Sequence, residues 1–246
     1  MSVLSKAYYK NYGGELVTPS QYEAKNRIQG TKHPAICVGC EEHLISHGVK
    51  SPNVTERFRH HKNTGNNVIK CPLHSSSKRN SFLNKTKLDP SNGNMLRKEF
   101  FKKENLLRAY ELCHKMKGGT PGCLPQKEFI KIIEAADATG IWYYKGIKLW
   151  GVMIILLLKS NYSFKKSGQQ YYYKFKRTKI CKNRPDNEWW NDLILQPCFL
   201  SDNKVVDKKY KSPIDFTEYW YQNQVSKMKF TEVNADKIFS HFKVDE

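Results

Sequence analysis

Three short segments decide the fold of the N-terminal part of the chain: C-V-G-C at Cys37–Cys40, F-R-H-H at Phe58–His61 and C-P-L-H at Cys71–His74. Together they hold three cysteines and three histidines, the side chains that bind soft metal ions such as Zn²⁺. Two thiolates separated by two residues can reach one ion from a tight turn. Gly39 suits that turn, because glycine tolerates a positive φ. The segments therefore predict a structural zinc site.

A tetrahedral structural zinc needs four ligands, so two more must join the Cys37-x-x-Cys40 pair. The spacing leaves two sets open: Cys37, Cys40, His60 and Cys71, or Cys37, Cys40, Cys71 and His74. The separation between Cys40 and Cys71 is longer than in the usual zinc ribbon. Two alternatives without structural zinc also stay open, namely a redox-active CxxC pair and a chance group of reduced thiols.

The pattern Cys37-x-x-Cys40, Phe58-x-His60 and Cys71 resembles the N-terminal zinc-finger-like segment of CoiA-like competence proteins and related bacterial zinc-ribbon proteins. The resemblance covers about residues 30–75. It favours His60 over His61 and makes Cys71 the fourth ligand. It also implies nucleic-acid handling, and the longer members of the family carry a predicted nuclease domain after the finger. Nothing recognisable as that domain follows in this sequence.

The chain is strongly basic, because 42 Lys and Arg residues oppose 23 Asp and Glu residues and give a formal net charge of +19. Excess charge of one sign destabilises the folded state through self-repulsion, so it favours a polyanionic partner. DNA or RNA is the first expectation. An anionic membrane surface or an acidic protein is the second. A Lys-rich proteome of low-GC origin is the alternative explanation that involves no partner.

The other cysteines and the apolar segments indicate the expected compartment. Four of the seven cysteines lie outside the predicted metal site, at Cys113, Cys123, Cys181 and Cys198. Scattered thiols beside a metal site are typical of a reducing cytoplasm. Residues 1–10 lack the apolar run of a signal peptide, and the longest apolar run, Leu149–Leu158, is too short to span a bilayer. We therefore expect a cytoplasmic protein that is not inserted in a membrane.

The composition divides the chain into two predicted domains. Residues 1–92 are expected to form the zinc-binding module together with a basic linker over residues 75–93. The N-terminal tyrosines are expected to pack onto the zinc-binding module. Short strands at Val54–Arg59 and Val68–Lys70 are expected to bring His60 and Cys71 to the metal. A module of this size buries little apolar surface, so metal binding would supply its folding energy.

Residues 93–246 are expected to form an α+β domain, in which a helix pair packs on a mainly antiparallel sheet. Apolar residues at helical spacing predict helices over residues 94–117 and 126–138. Residues 147–180 are interpreted as a long β-hairpin with Gly151–Leu158 as a central strand and Lys165–Gly168 as the turn. A short helix is predicted over residues 234–242.

The returning strand of that hairpin is the predicted nucleic-acid contact. Between Asn161 and Arg184 the sequence has eight Lys or Arg residues and no Asp or Glu. Aromatic and basic side chains alternate here, and rings stack on bases while Lys and Arg reach phosphates. The predicted contact residues are Tyr172, Lys174, Lys176, Arg177 and Lys179. A strand with one core face and one ordinary solvated face is the alternative.

No catalytic motif stands out, so the sequence leaves enzymatic activity open, leans against it, and points to a nuclease if the chain is an enzyme. Pro185-Asp186 followed by Asp202-Asn203-Lys204 has the letters of a PD-(D/E)xK nuclease, in which the acids hold Mg²⁺. The segment Ser201–Asn203, however, has the composition of a turn. The H-x-E and P-C-x-x-C elements of a zinc deaminase are missing. The leading hypothesis is a zinc-containing nucleic-acid-binding protein of bacterial or phage origin. A metal-dependent nuclease and a phage or mobile-element protein-interaction factor are the alternatives.

Overall fold

The fold is known from a computed structural model that describes residues 4–61, 71–74, 77, 79, 83, 86–120, 122–178, 190, 192–228 and 235–244. The described residues contain seven α-helices and two antiparallel sheets. The predicted α+β class is therefore confirmed. The predicted strand Val68–Lys70, the contact residue Lys179 and the pair Pro185-Asp186 lie outside the described residues.

The first sheet is built from the N-terminal residues and has the strand order β2-β1-β3-β4-β5. Its strands are β1 (Ala7–Tyr9), β2 (Leu16–Val17), β3 (Ala35–Ile36), β4 (His43–His47) and β5 (Arg57–His60). Helix α1 (Pro19–Gln29) crosses between β2 and β3, and a capping box of Thr18 and Gln21 fixes its start. The predicted strand at Val54–Arg59 is thus confirmed in its second half, and it ends at His60.

The helices that follow form the larger part of the core. They are α2 (Pro90–Phe100), α3 (Lys103–Met116), α4 (Gln126–Ala138), α5 (Leu149–Ile155), α6 (Glu218–Val225) and α7 (Asp236–Phe242). The prediction of a single helix over residues 94–117 is wrong. The helix is interrupted at Phe101 and Lys102, and α3 begins with its own N-cap residue, Lys102. Asp89 caps α2, so the end of the predicted linker forms the first turn of a helix.

The central strand predicted at Gly151–Leu158 is also wrong. This segment is helix α5 followed by a 3₁₀ turn at Leu156–Lys159, and every residue from Trp150 to Ser160 is buried. A run that is apolar at every position has neither a period of two nor one of 3.6, so periodicity cannot separate a buried helix from a buried strand. The predicted turn at Lys165–Gly168 does exist, and the predicted returning strand follows it, but the strand before the turn is the short segment Tyr162–Ser163.

Those strands belong to the second sheet, which has the order β6-β7-β8-β9. They are β6 (Tyr162–Ser163), β7 (Gln170–Arg177), β8 (Leu193–Phe199) and β9 (Ile214–Asp215). The long pairing of β7 with β8 runs from Tyr171 opposite Phe199 to Arg177 opposite Leu193. Tyr173 and Phe175 point from this sheet into the core beneath the helices.

Helix α4 packs against both parts of the molecule. Ala135 and Ala138 belong to the N-terminal core, whereas the opposite face of α4 lies in the main core. The Ala138 carbonyl accepts hydrogen bonds from the Ser5 backbone N–H at 2.7 Å and from its hydroxyl at 3.0 Å. The N-terminal sheet is therefore docked on α4, and the predicted domain boundary at residue 92 falls inside α2.

Candidate metal centre

Four side chains from three separate segments meet at one point. Cys37 and Cys40 lie in the turn between β3 and β4, His60 ends β5, and Cys71 opens the turn at Cys71–His74. One ligand atom from each lies within 4.8 Å of the others, an arrangement that can hold a metal ion. The Cys37 and Cys71 sulfurs are 3.8 Å apart, and His60 Nε2 lies 3.4 Å from the Cys40 sulfur and 3.5 Å from that of Cys71.

The two turns that carry the cysteines have matching geometry. The Gly39 N–H donates to the Cys37 sulfur at 3.4 Å, and the Leu73 N–H donates to the Cys71 sulfur at 3.4 Å. A hydrogen bond from a backbone N–H to a thiolate stabilises its negative charge. Each turn therefore favours the thiolate form of its cysteine, which is the form that binds a metal cation.

The reason for glycine at position 39 differs from the prediction. The positive φ in this turn falls on Glu41, at 66°, whereas Gly39 is not among the residues with positive φ. A Cβ at Gly39 would lie 3.1 Å from Leu73 Cγ and 3.5 Å from Pro72 Cγ. The absence of a side chain thus lets the two turns pack on each other.

The thiol group of Cys37 needs a cation to ionise. Its pKa is raised by hydrogen bonds with Cys40 and Cys71 and by burial. The pKa of the half-buried Cys40 is lowered, because the thiols of Cys37 and Cys71 donate hydrogen bonds to its sulfur. A metal dication would lower the pKa of all three thiols and release their protons.

The second candidate histidine, His74, is not part of the group of four, and its ring packs against that of His60. The two rings are 4.7 Å apart and tilted by 41°. Burial and the neighbouring His60 lower the pKa of His74, which favours its neutral form. His61 is exposed and follows the end of β5. The geometry therefore brings together the set with His60, the one that the CoiA resemblance favours, and not the set with His74.

The predicted nucleic-acid contacts on β7 are less accessible than expected. Tyr172 is 2% exposed, its ring packs 4.3 Å from the Arg79 guanidinium, and its hydroxyl donates to Asn203 Oδ1 at 2.7 Å. The hypothesis that Tyr172 stacks on a base is therefore wrong, because the residue is buried. Lys176 is exposed, while Lys174 and Arg177 are half-buried. For these three, phosphate contact stays a prediction.

The residues of the nuclease-like triple lie in a surface turn. The Lys204 N–H donates to Asp202 Oδ1 at 2.9 Å, and Asn203 has a φ of 61°. This confirms the interpretation of Ser201–Asn203 as a turn. Asp202 therefore lies in a turn and not on a strand, where the nuclease motif places its acids.

A cationic groove was missed by the sequence reasoning. It lies at the junction of α2 and α3, has a volume of about 1320 Å³, and is called the α2–α3 groove below. Its cationic side chains are Lys6, Arg97, Lys98, Lys102, Lys103 and Lys243. The cluster R-K-E-F-F-K-K-E at residues 97–104 was the available signal. Lys6 and Lys243 come from the two ends of the chain, so no local pattern includes them.

Comparison of the chain with protein-family models, curated proteins and solved structures gives no match. The resemblance to CoiA-like proteins therefore stays a prediction that rests on the residues of the metal centre. Among the helices of the described residues, none combines the length and apolar character needed to cross a bilayer.

Proposed function

We propose that this chain is a zinc-stabilised protein that binds nucleic acid. Zinc bonds of about 2.3 Å to sulfur and about 2.0–2.1 Å to nitrogen give tetrahedron edges of about 3.8 Å between two sulfurs and about 3.5 Å between sulfur and nitrogen. The observed edges are 3.8 Å between Cys37 and Cys71, and 3.4 and 3.5 Å from His60 to Cys40 and Cys71. This agreement in size supports zinc.

The site has the character of a structural zinc. Four protein ligands complete a tetrahedron and leave no position for water or substrate. The ligands tie together the turn after β3, the end of β5 and the turn at Cys71–His74, which are otherwise short elements. In so small a sheet, the free energy of metal binding becomes free energy of folding.

Two buried basic side chains lie near the site. Three thiolates around Zn²⁺ leave one net negative charge. Arg79 and Lys159 are 0% and 4% exposed, and burial lowers the pKa of Arg79 to about 10 and that of Lys159 to about 7. An ionised Cys71 acts in the opposite direction, so a metal centre with three thiolates would favour the charged form of both.

The net charge of +19 is the observation that carries the nucleic-acid part of the proposal. A chain with this excess binds phosphate backbones by releasing their counterions, so its affinity falls steeply as salt rises. An acidic protein partner, the competing class, would be recognised through paired side chains and would not extend to generic DNA or RNA.

Metal analysis and binding to labelled DNA and RNA at several salt concentrations test the two parts separately. We expect about one zinc per chain in reductively purified protein, and an affinity whose logarithm falls linearly with the logarithm of salt concentration. Protein that is folded without any bound metal would refute the zinc centre. Metal-loaded protein that binds neither DNA nor RNA at low salt would refute the nucleic-acid function.

A further inference from the structure

We propose that the α2–α3 groove is the surface that binds nucleic acid, and that its ligand is a single strand whose phosphates lie along the groove. This inference rests on the proposed function and names the surface and ligand class for it. We propose the groove, and not strand β7, as the main nucleic-acid surface, because the Tyr172 ring on β7 is buried.

The charge of the groove is strongly unbalanced. Six cationic side chains face only two carboxylates, Glu104 and Asp137, which gives a net charge of +4. Lys98, Lys102, Lys103 and Lys243 are all exposed. Lys98 and Lys243 form no ion pair with any acidic side chain that the structure describes. Cations that no carboxylate neutralises are available to phosphate oxygens.

Two further cations are fixed in position by a half-buried carboxylate. Asp137 accepts from Lys6 Nζ at 2.8 Å and from Arg97 at 2.7 Å through Nε and 3.3 Å through Nη2. Burial of Asp137 opposes ionisation, but these hydrogen bonds outweigh it and lower the pKa of Asp137. Because Arg97 and Lys6 are held before a ligand arrives, less side-chain entropy is lost on binding.

Aromatic rings line the same groove beside the cations. Arg97 lies 4.6 Å from the Phe101 ring, and Phe101 contacts Phe242 at 5.1 Å with an edge-to-face geometry. Phe101, Phe242 and Tyr143 are half-buried, so part of each ring faces the groove. Interleaved rings and cations in a concave surface are typical of sites for single-stranded nucleic acid.

The rings favour a single strand over a duplex. In a duplex each base is stacked between its neighbours, so its face is closed to a protein side chain. In a single strand the base faces are accessible, and stacking on a ring stabilises binding by about 1–3 kcal/mol for each base. A duplex would use only the cations and would leave the rings without a role.

Two matched triple variants test the groove. One is Lys98→Gln, Lys103→Gln and Lys243→Gln, which removes three exposed cations from the groove. The control is Lys32→Gln, Lys50→Gln and Lys208→Gln, which removes the same charge from exposed loop positions outside the groove. All six side chains lie at the surface, so both variants keep the core, and zinc content and thermal unfolding verify the fold of each.

The probe is a labelled oligothymidylate. Its length exceeds the site size of single-strand-binding domains, which is about 4–16 nucleotides. Fluorescence anisotropy measures its affinity at several salt concentrations, and a duplex of mixed sequence serves as the second ligand. Each lost phosphate contact lowers the salt slope by about 0.7 for a single strand, so the groove variant should lose about 2 in slope and bind at least about tenfold more weakly at moderate salt. The loop variant should bind as the parent does.

The other outcomes would refute the groove as the site, the single strand as its ligand, or the proposed function. If the parent binds and both variants weaken equally, the effect is one of overall charge, and the groove is not the site. A groove variant that binds like the parent has the same consequence, and the proposed function survives in both cases. Tighter binding of the duplex than of the oligothymidylate refutes the single-strand assignment. A parent that binds neither ligand refutes the proposed function together with this inference.

Discussion

Replacement of Asp137 is expected to loosen the contact between the N-terminal sheet and the helices. Its carboxylate accepts from Lys6 and Arg97, and Oδ1 also accepts from Trp142 Nε1 at 3.1 Å. In Asp137→Ala all three donors lose their acceptor. Lys6 and Arg97 are 35% and 40% exposed, so water can solvate both, and each pair contributes at most about 1 kcal/mol.

The buried indole determines most of the cost. Trp142 is 0% exposed, and a buried donor without an acceptor costs about 1–3 kcal/mol. Asp137→Ala should therefore lower the free energy of unfolding by about 3 kcal/mol. Asp137→Asn keeps an oxygen that can accept from the indole and removes only the charge, so its cost should be about 1 kcal/mol.

Urea denaturation and thermal unfolding, both followed by circular dichroism, measure the two variants. For a chain of this length, a difference of about 2 kcal/mol between them corresponds to a separation in Tm of about 4–8 °C. If Asp137→Asn and Asp137→Ala are equally unstable, the ion pairs and not the indole carry the stabilisation. A cost below about 1 kcal/mol for Asp137→Ala would refute the role of Asp137 as a junction between the two parts.

Three other predictions follow from the geometry. His60→Ala should weaken zinc binding by about 100-fold or more, whereas His74→Ala keeps all four ligands and should change it by less than about tenfold, as measured by competition with a chelator; the reverse order would support the ligand set with His74. Gly93→Ala should lower the free energy of unfolding by about 1–3 kcal/mol despite better helix propensity, because its Cβ would lie 2.2 Å from Tyr143 Cδ1; thermal unfolding measures this, and a stabilised variant would contradict the close contact. The lowered pKa of Asp137 stabilises the fold above the unfolded-state value of about 3.9, and this contribution is lost as pH falls through the folded-state pKa. Acid titration of Asp137→Asn should lack that component, and identical acid profiles for parent and variant would disprove it.

The metal centre could be predicted because its information is local. Two CxxC-like turns and a histidine near a strand end specify ligand types and spacing, and the structure brings Cys37, Cys40, His60 and Cys71 together as the first of the two sets requires. The choice between His60 and His74 was not local. It depends on the register of β5 against β4, in which His60 pairs with Leu44, and the residue spacing does not contain that register.

The errors lie where tertiary packing overrides the pattern. The segment Gly151–Leu158 fits a buried strand or a buried helix equally well, because it is apolar at every position, and in the structure it forms helix α5 and a 3₁₀ turn. On β7 the expected solvated face is covered at Tyr172, because Arg79 folds back onto the ring and donates to the Ser160 carbonyl at 3.1 Å. That contact joins residues distant in sequence, so strand alternation alone could not reveal it.

The metal centre and the α2–α3 groove are connected through the first sheet. Cys37 directly follows β3, β3 pairs with β1 through Tyr8 and Ile36, and the residue before β1 is Lys6, which reaches Asp137 in the groove. The Tyr8 hydroxyl also donates to Glu134, one helical turn before Asp137 on α4. Hydrogen-bonded strands transmit a displacement more faithfully than loops do, because each ladder bond fixes its neighbour. A metal ion bound at the end of β3 would therefore also restrain Lys6, and we expect loss of the metal to weaken the order of Lys6 in the groove.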